Sequence, residues 1–353
     1  MTAVGVRGGN GRQPTLGLSL LAGNVRSVAA SAAIAEENGF GTAWTSEFYN
    51  RSATITLASM AHATSTIRVG SGIAYAVGRS PVVLAAEARD LDEISDGRLV
   101  LGLGTGTRRM MEDWHGVDPS GPATRLEELI PLLRSLWKLH EAPVAHDGRF
   151  YHLKLKATAD VGVPLRTDIP VWTAGVNPRM VETAGRVSDG FLGHPLFSVK
   201  YLEEIVHPEI AKGAAKRDRS PDDVEVSTVV ITSVHDDPEE ARRRAKGQLA
   251  FYSAPKTYDY VLEVNGFSAE AAAIRAAFAA GDHDAMLAAV TDEMVDAMTL
   301  SGTTDEVTEQ LRRYDGLLDH LIIYPPSFKL APDEEQETRE NLLALGKTLA
   351  ARA

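Results

Sequence analysis

The strongest constraint on this chain is a rhythm. Short apolar runs alternate with longer amphipathic stretches, eight times in order. The runs cover residues 16–21, 42–47, 67–73, 99–103, 169–174, 190–194, 224–232 and 320–324. Each is too short for a helix and reads as a buried parallel strand. The stretches between them carry helix signals. Asn38-Gly39 stops a helix over 25–38, and Ser80-Pro81 opens one that runs to about residue 95. Further helices are predicted over 53–64, 122–140, 178–187 and 198–216, and a closing one over 334–351. Ser301-Gly302-Thr303 caps another that reaches Tyr314. Eight alternations in 353 residues predict a (β/α)8 TIM barrel over an open doubly wound sheet. The excess length falls in excursions near 108–122, 141–168 and 238–300. The second reads as a hairpin and the third as a helical insertion after strand seven. Residues 1–14 read as a flexible tail, and 15–353 as one barrel domain.

Composition removes several function classes. The net charge is −12 and the basic residues are spread out, so nucleic acid is not an expected partner. The absence of cysteine excludes disulfides, thiolate metal sites and a Cys nucleophile. The ten histidines show no metal spacing. The N-terminus lacks a signal-peptide core, and no apolar run approaches a membrane span. The expected setting is the cytoplasm. Arg242-Arg243-Arg244 beside Glu239-Glu240 reads as a solvated helix face.

The fourth run carries the clearest chemical signal. The turn Asp96-Gly97 leads into it, and Gly102, Gly104 and Gly106 alternate at its end. Glycines there read as positions where a side chain would keep a ligand off the backbone. Thr105 and Thr107 can cap the next helix, with Arg108 and Arg109 just beyond. A strand that opens into a helix this way offers free N–H groups to an anion, most often phosphate. Thr107 stands where a GxGxxG fingerprint needs glycine, and the Gly-Lys-Ser/Thr ending of a Walker loop is absent. A tight turn with no ligand is the other reading of these residues.

In such a barrel the active site lies at the C-terminal strand ends. That rule selects Ser46, Glu47, Phe48 and Tyr49; Ser71, Gly72, Ile73 and Tyr75; Gly104, Thr105, Gly106 and Thr107. It also selects Ala174, Gly175, Val176 and Asn177; Gly193, His194 and Pro195; and Tyr324 and Pro325. The set holds one carboxylate, Glu47, and one imidazole, His194. It has no carboxylate pair for glycoside chemistry, no HExxH and no GxSxG elbow. A mouth poor in reactive groups and rich in glycine suggests that a bound cofactor supplies the chemistry.

Several segments carry a family resemblance: Asn38-Gly39-Phe40 running into Ala43-Trp44-Thr45-Ser46-Glu47; Arg68-Val69-Gly70-Ser71-Gly72-Ile73; Leu91-Asp92-Glu93-Ile94-Ser95-Asp96-Gly97-Arg98-Leu99; residues 101–106; Ile169-Pro170-Val171-Trp172-Thr173-Ala174-Gly175; and Ser188-Asp189-Gly190-Phe191. The chain resembles the bacterial-luciferase-like superfamily of flavin- and deazaflavin-dependent oxidoreductases. Within it the pattern is most similar to the coenzyme F420-dependent branch, the methylenetetrahydromethanopterin reductase-like group.

The resemblance implies a non-prolyl cis peptide at Gly72–Ile73, behind a deazaflavin ring. It implies cofactor contacts at Ser46, Ser71, Gly72 and Ile73. It puts the cofactor phosphate by Gly104, Thr105, Gly106 and Thr107, by Ala174, Gly175 and Val176, and by Gly193. Glu47 and His194 are the catalytic candidates. A helix-capping carboxylate and a satisfied structural histidine are their bland alternatives. Some F420-dependent sugar-phosphate and alcohol dehydrogenases place a histidine directly after the acidic residue of strand two. Phe48 stands there instead, which argues against glucose-6-phosphate oxidation. The expected activity is hydride transfer between F420 and an unidentified small organic substrate. An FMN-dependent monooxygenase and a non-catalytic flavin carrier are the rivals. A homodimer is expected from the resemblance.

Overall fold

The computed structural model of the protein describes residues 13–352, so twelve of the fourteen tail residues lie outside the described part. Eight parallel strands close on themselves: β1 (Thr15–Ser19), β2 (Thr42–Thr45), β3 (Arg68–Ser71), β4 (Leu99–Gly104), β5 (Val171–Ala174), β6 (Gly190–Gly193), β7 (Glu225–Val234) and β8 (His320–Tyr324). Neighbours in sequence are neighbours in the sheet, and β8 returns to β1. This is the predicted TIM barrel. β2, β4, β6 and β8 are buried at every residue, and β4 and β6 contain only apolar residues and glycine, as strands covered on both faces do.

The barrel interior is filled by Trp44, Val100, Trp172, Leu192 and Ile322, with the two indole rings 5.2 Å apart. Two tryptophans in so narrow a space require gaps on adjacent strands. A Cβ at Gly70 would stand 2.5 Å from the Trp44 ring, and one at Gly190 equally close to Trp172. The N-terminal end is plugged by His320, Glu225 and Arg68, with the Arg68 guanidinium over Trp172.

The outer helices include α1 (Val25–Glu37), α2 (Ala53–Ala63), α3 (Pro81–Ile94), α4 (Pro122–Trp137), α5 (Pro178–Val187), α6 (His207–Ala215) and α7 (Pro238–Ser253), with a closing helix over Pro332–Arg352. Asn24, Ser52, Ser80 and Asn177 cap α1, α2, α3 and α5 through their side chains. Gly185 of α5 and Gly213 of α6 let those two helices touch backbone to backbone. The predicted hairpin is present as Val144–Asp147 against His152–Leu155.

Four features depart from the sequence reading. The 198–216 helix is interrupted by a π-helical segment, Leu202–Val206, immediately before α6; Pro208 has no N–H to continue the regular ladder. A second π segment, Met110–Trp114, fills the excursion after β4. Ser301-Gly302-Thr303 does cap a helix, through a capping box with Glu306, but Thr299–Gly302 is also a strand along the upper part of β7. Arg244 does not belong to a solvated face. Its side chain is only 4% exposed and bonds Glu240, and Glu337 and Thr338 of the closing helix. Among the described residues no helix is long and apolar enough to cross a membrane, and no metal-binding cluster occurs.

Candidate active site

The barrel mouth is built around a bulge. The Gly72–Ile73 peptide is cis, as expected, and a two-residue strand, Ala74–Tyr75, re-joins β4 beyond it. The end of β2 grips this bulge from one side. The Ser46 hydroxyl donates to the Gly72 carbonyl, and the Glu47 amide donates to the Ile73 carbonyl at 2.8 Å. The Glu47 carboxylate accepts from the Tyr75 amide at 2.8 Å. It also accepts both guanidinium arms of Arg79, at 2.8 and 2.7 Å. Arg79 turns its Nε to Glu87 at 2.6 Å. The paired side chains are only 11% and 14% exposed, and Glu47 holds the Arg79 pKa above its usual value. Ser52, not Glu47, caps α2. Both carboxylate oxygens of Glu47 are therefore occupied within the protein.

Two glycines of β4, Gly102 and Gly104, face neighbouring protein atoms where the sequence reading clears space for a ligand. A Cβ on Gly102 would overlap the Ser71 carbonyl oxygen, and one on Gly104 would overlap the Ile73 side chain. Ser71 donates its hydroxyl to the Gly102 carbonyl at 2.8 Å and accepts the Gly102 amide at 3.0 Å. Gly106 has φ +72°, a left-handed conformation suited to glycine, and packs against Met110 and Tyr75. Thr107 does cap the next turn, accepting from the Met110 amide at 3.3 Å. The amides of Arg108 and Arg109, in the first turn, have no intrahelical acceptor. Both side chains are exposed and lie against Glu112 and Asp113. The Thr105 hydroxyl leans on the Gly106 carbonyl at 3.3 Å.

The remaining candidates sit on the β5–β6 rim. Ile73 and Ala174 pack on the same inner cluster, which links the two sides of the barrel. Gly175 fits against Met180, and the Val176 carbonyl accepts the Tyr201 hydroxyl at 2.6 Å. Gly193 is closed in by Phe197 and Thr228. His194 accepts the Leu196 amide on Nδ1 at 3.3 Å, which places its proton on Nε2. Its ring stacks on Tyr258 at 4.1 Å and meets Tyr252 edge-on at 5.1 Å. Desolvation pulls its pKa down to about 3, so the imidazole is neutral throughout the physiological range.

Sequence reasoning misses Arg79, Tyr252 and Tyr258. Arg79 lies 32 residues from Glu47, and no local pattern couples them. Tyr252 and Tyr258 belong to the insertion after β7, where a cluster of aromatics in an alanine-rich helical section is the available signal. The Tyr252 and Tyr324 ring centroids lie 6.1 Å apart, and burial raises the pKa of both hydroxyls. Tyr258 stands close enough to Tyr75 to oppose its ionisation; burial, the larger effect, and the Glu47 charge also raise Tyr75, to about 12. Trp114 walls the entrance, in edge contact with Phe48 at 5.2 Å and Tyr49 at 5.7 Å.

The profile of the luciferase-like monooxygenase family matches residues 4–321. The chain belongs to this family. An uncharacterised protein of Mycobacterium tuberculosis is 34% identical over 314 residues, covering 87% of this chain and 91% of that one. The 5,10-methylenetetrahydromethanopterin reductase of Methanolobus tindarius is 33% identical over 288 residues, covering 80% and 84%. Among solved structures, the coenzyme F420-dependent tetrahydromethanopterin reductase of Methanopyrus kandleri superposes with a TM-score of 0.79 at 26% identity, covering 96% of this chain and 98% of that one. This luciferase-like chain thus shares its barrel, nearly end to end, with a deazaflavin enzyme.

Proposed function

We propose that the protein is a coenzyme F420-dependent oxidoreductase that moves a hydride between the deazaflavin C5 and a small organic substrate. The observation that carries this reading is the gripped bulge at Gly72–Ile73. It offers a firm backbone seat for a flat ring, and Ser46 and Glu47 keep its carbonyls turned back into the protein. Identity to a methylenetetrahydromethanopterin reductase supports the deazaflavin over other flavins. The residues present fit such a group. The first-turn amides of Arg108 and Arg109, which have no intrahelical acceptor, lie beside the Thr105 and Thr107 hydroxyls and suit a phosphate. F420, when bound, supplies a two-electron hydride carrier.

The chain's own contribution is position and exclusion of water. Ser46, Ser71, Gly72 and Ile73 form the ring seat. Gly104, Thr105, Gly106 and Thr107 hold the phosphate end, with Ala174, Gly175, Val176 and Gly193 across the rim. Glu47 acts as a positioning residue through Arg79 and the Tyr75 amide. His194 presents a neutral N–H donor.

Titration with F420 and with FMN, followed by the change in cofactor fluorescence, tests the reading. Saturable F420 binding is expected. Tight FMN binding with no affinity for F420 would overturn it in favour of a monooxygenase that uses reduced flavin and O2. F420 binding without turnover across a broad substrate screen would favour a carrier. We also expect a homodimer, which sedimentation checks.

A further inference from the structure

We propose that Tyr258 is the substrate-facing hydrogen-bond donor of this site, and that its partner is an uncharged, planar molecule with a carbonyl acceptor, such as an aryl ketone. This rests on the reading of the barrel mouth as an F420 site and adds the class of substrate.

The tyrosines around the mouth are not equivalent. Tyr252 and Tyr324 lie against each other, ring centroids 6.1 Å apart, and Tyr252 meets His194 edge-on. Among the described residues the Tyr75 hydroxyl reaches only the soft sulfur of Met110, at 3.8 Å. Tyr258 has its ring fixed by stacking on His194, and among the described residues its hydroxyl has no hydrogen-bond partner. That hydroxyl is not sealed into the protein either, since it is not one of the buried polar atoms left without a partner. A ring held rigidly with a free, reachable O–H is a pre-organised donor. Burial raises its pKa, so it donates a proton in a hydrogen bond and does not become a phenolate.

The electrostatics select the partner. Arg79, the cation built into this wall, is neutralised by Glu47 and Glu87. Arg108 and Arg109 are exposed beside their own acids. A carboxylate or phosphate brought against Tyr258 would lose its hydration and gain no counter-charge from these groups. A neutral carbonyl loses less and accepts the phenol directly. The entrance favours a flat, apolar body. Phe48, Tyr49 and Trp114 are 43%, 74% and 39% exposed, and the indole stands edge-on to the other two rings beside the bulge. Exposed aromatic side chains that border a site are natural stacking surfaces.

The test uses an isosteric set: 2-acetonaphthone, 2-naphthoate and 2-ethylnaphthalene. Each is titrated into the full-length protein, with and without F420, and followed by tryptophan fluorescence and calorimetry. The ketone is expected to bind at least about tenfold tighter than the naphthoate. Tyr258→Phe should weaken the ketone by about five- to tenfold, the worth of one hydrogen bond, and leave the hydrocarbon unchanged. Unchanged hydrocarbon binding also shows that the variant has kept its pocket. The proposal is overturned if the naphthoate binds as well as the ketone, if the ketone does not bind saturably, or if Tyr258→Phe leaves ketone affinity intact. Those outcomes leave F420 binding untouched, whereas loss of F420 binding by the wild-type protein would overturn the cofactor reading and the site assignment built on it.

Discussion

Substituting Gly102 with alanine gives the sharpest test of how the mouth is built. The added Cβ would overlap the Ser71 carbonyl oxygen and lie 2.8 Å from Leu192 Cδ1 and 2.9 Å from the Ser71 carbonyl carbon. Leu192 can rotate aside. Ser71 cannot, because its carbonyl belongs to β3 and leads into the bulge. The strands must therefore part, and the Ser71–Gly102 pair of hydrogen bonds, at 2.8 and 3.0 Å, is strained or lost. Overpacking of a tight core costs about 1–3 kcal/mol. Two buried hydrogen bonds add about 1 kcal/mol each. The sum, about 3–5 kcal/mol, is a large share of a typical stability of about 5–15 kcal/mol. For a chain of this size it lowers the Tm by roughly 4–7 °C. Circular dichroism melts and soluble yield measure it directly. If Gly102→Ala melts with the wild-type protein and loses only cofactor affinity, the glycine is there to clear a ligand and protein packing is not what excludes a side chain.

The same geometry sets three further expectations. Gly213→Ala puts a Cβ over the Glu182 carbonyl oxygen and 3.1 Å from Gly185 Cα, which should force α5 and α6 apart at a cost of about 2–3 kcal/mol, read as a lower Tm. Glu47→Gln leaves Arg79 half-paired and should destabilise the fold by about 2–3 kcal/mol, less than a fully buried pair because Glu87 still holds the guanidinium; a fall in kcat with an unchanged melt would instead make Glu47 catalytic. For His194 the folded pKa, about 3, lies below its usual 6.5, so the unfolded chain binds more protons between these values. Stability should then fall as pH drops below 6.5, by up to about 1.4 kcal/mol per pH unit. In His194→Gln that part of the pH–Tm curve should flatten, and an unchanged slope would refute the neutral-histidine assignment.

The barrel is legible because buried parallel strands leave near-continuous apolar runs, and because Ser80-Pro81 and Ser301-Gly302-Thr303 mark helix starts. The cis bond is legible only through the Gly72-Ile73 resemblance. The π segments are not, since Met110–Trp114 and Leu202–Val206 have the composition of ordinary helix. The glycines of β4 are half legible. Their need for empty space is evident from sequence, but the space that suggests a ligand is in large part filled by Ser71 and Ile73. Glu47 is found by position, yet its partner cannot be. A salt bridge between β2 and the segment before α3 leaves no periodic trace, and neither does the approach of Tyr258 to Tyr75.

The insertion after β7 leaves the barrel at Val234 and returns through Thr299–Gly302, which is hydrogen-bonded to that same strand from Ile231 to Val234. Its two ends are thus about 10 Å apart, three residues of one strand. The segment is a cassette whose two ends share one strand, tied sideways through Arg244 to the closing helix and through Tyr258 to His194. A change of length between Ser253 and Thr299 leaves barrel circumference and strand register as they are. Because this cassette carries Tyr252 and Tyr258, while the bulge belongs to β2 and β3, selection can retune one half of the site and leave the other unaltered.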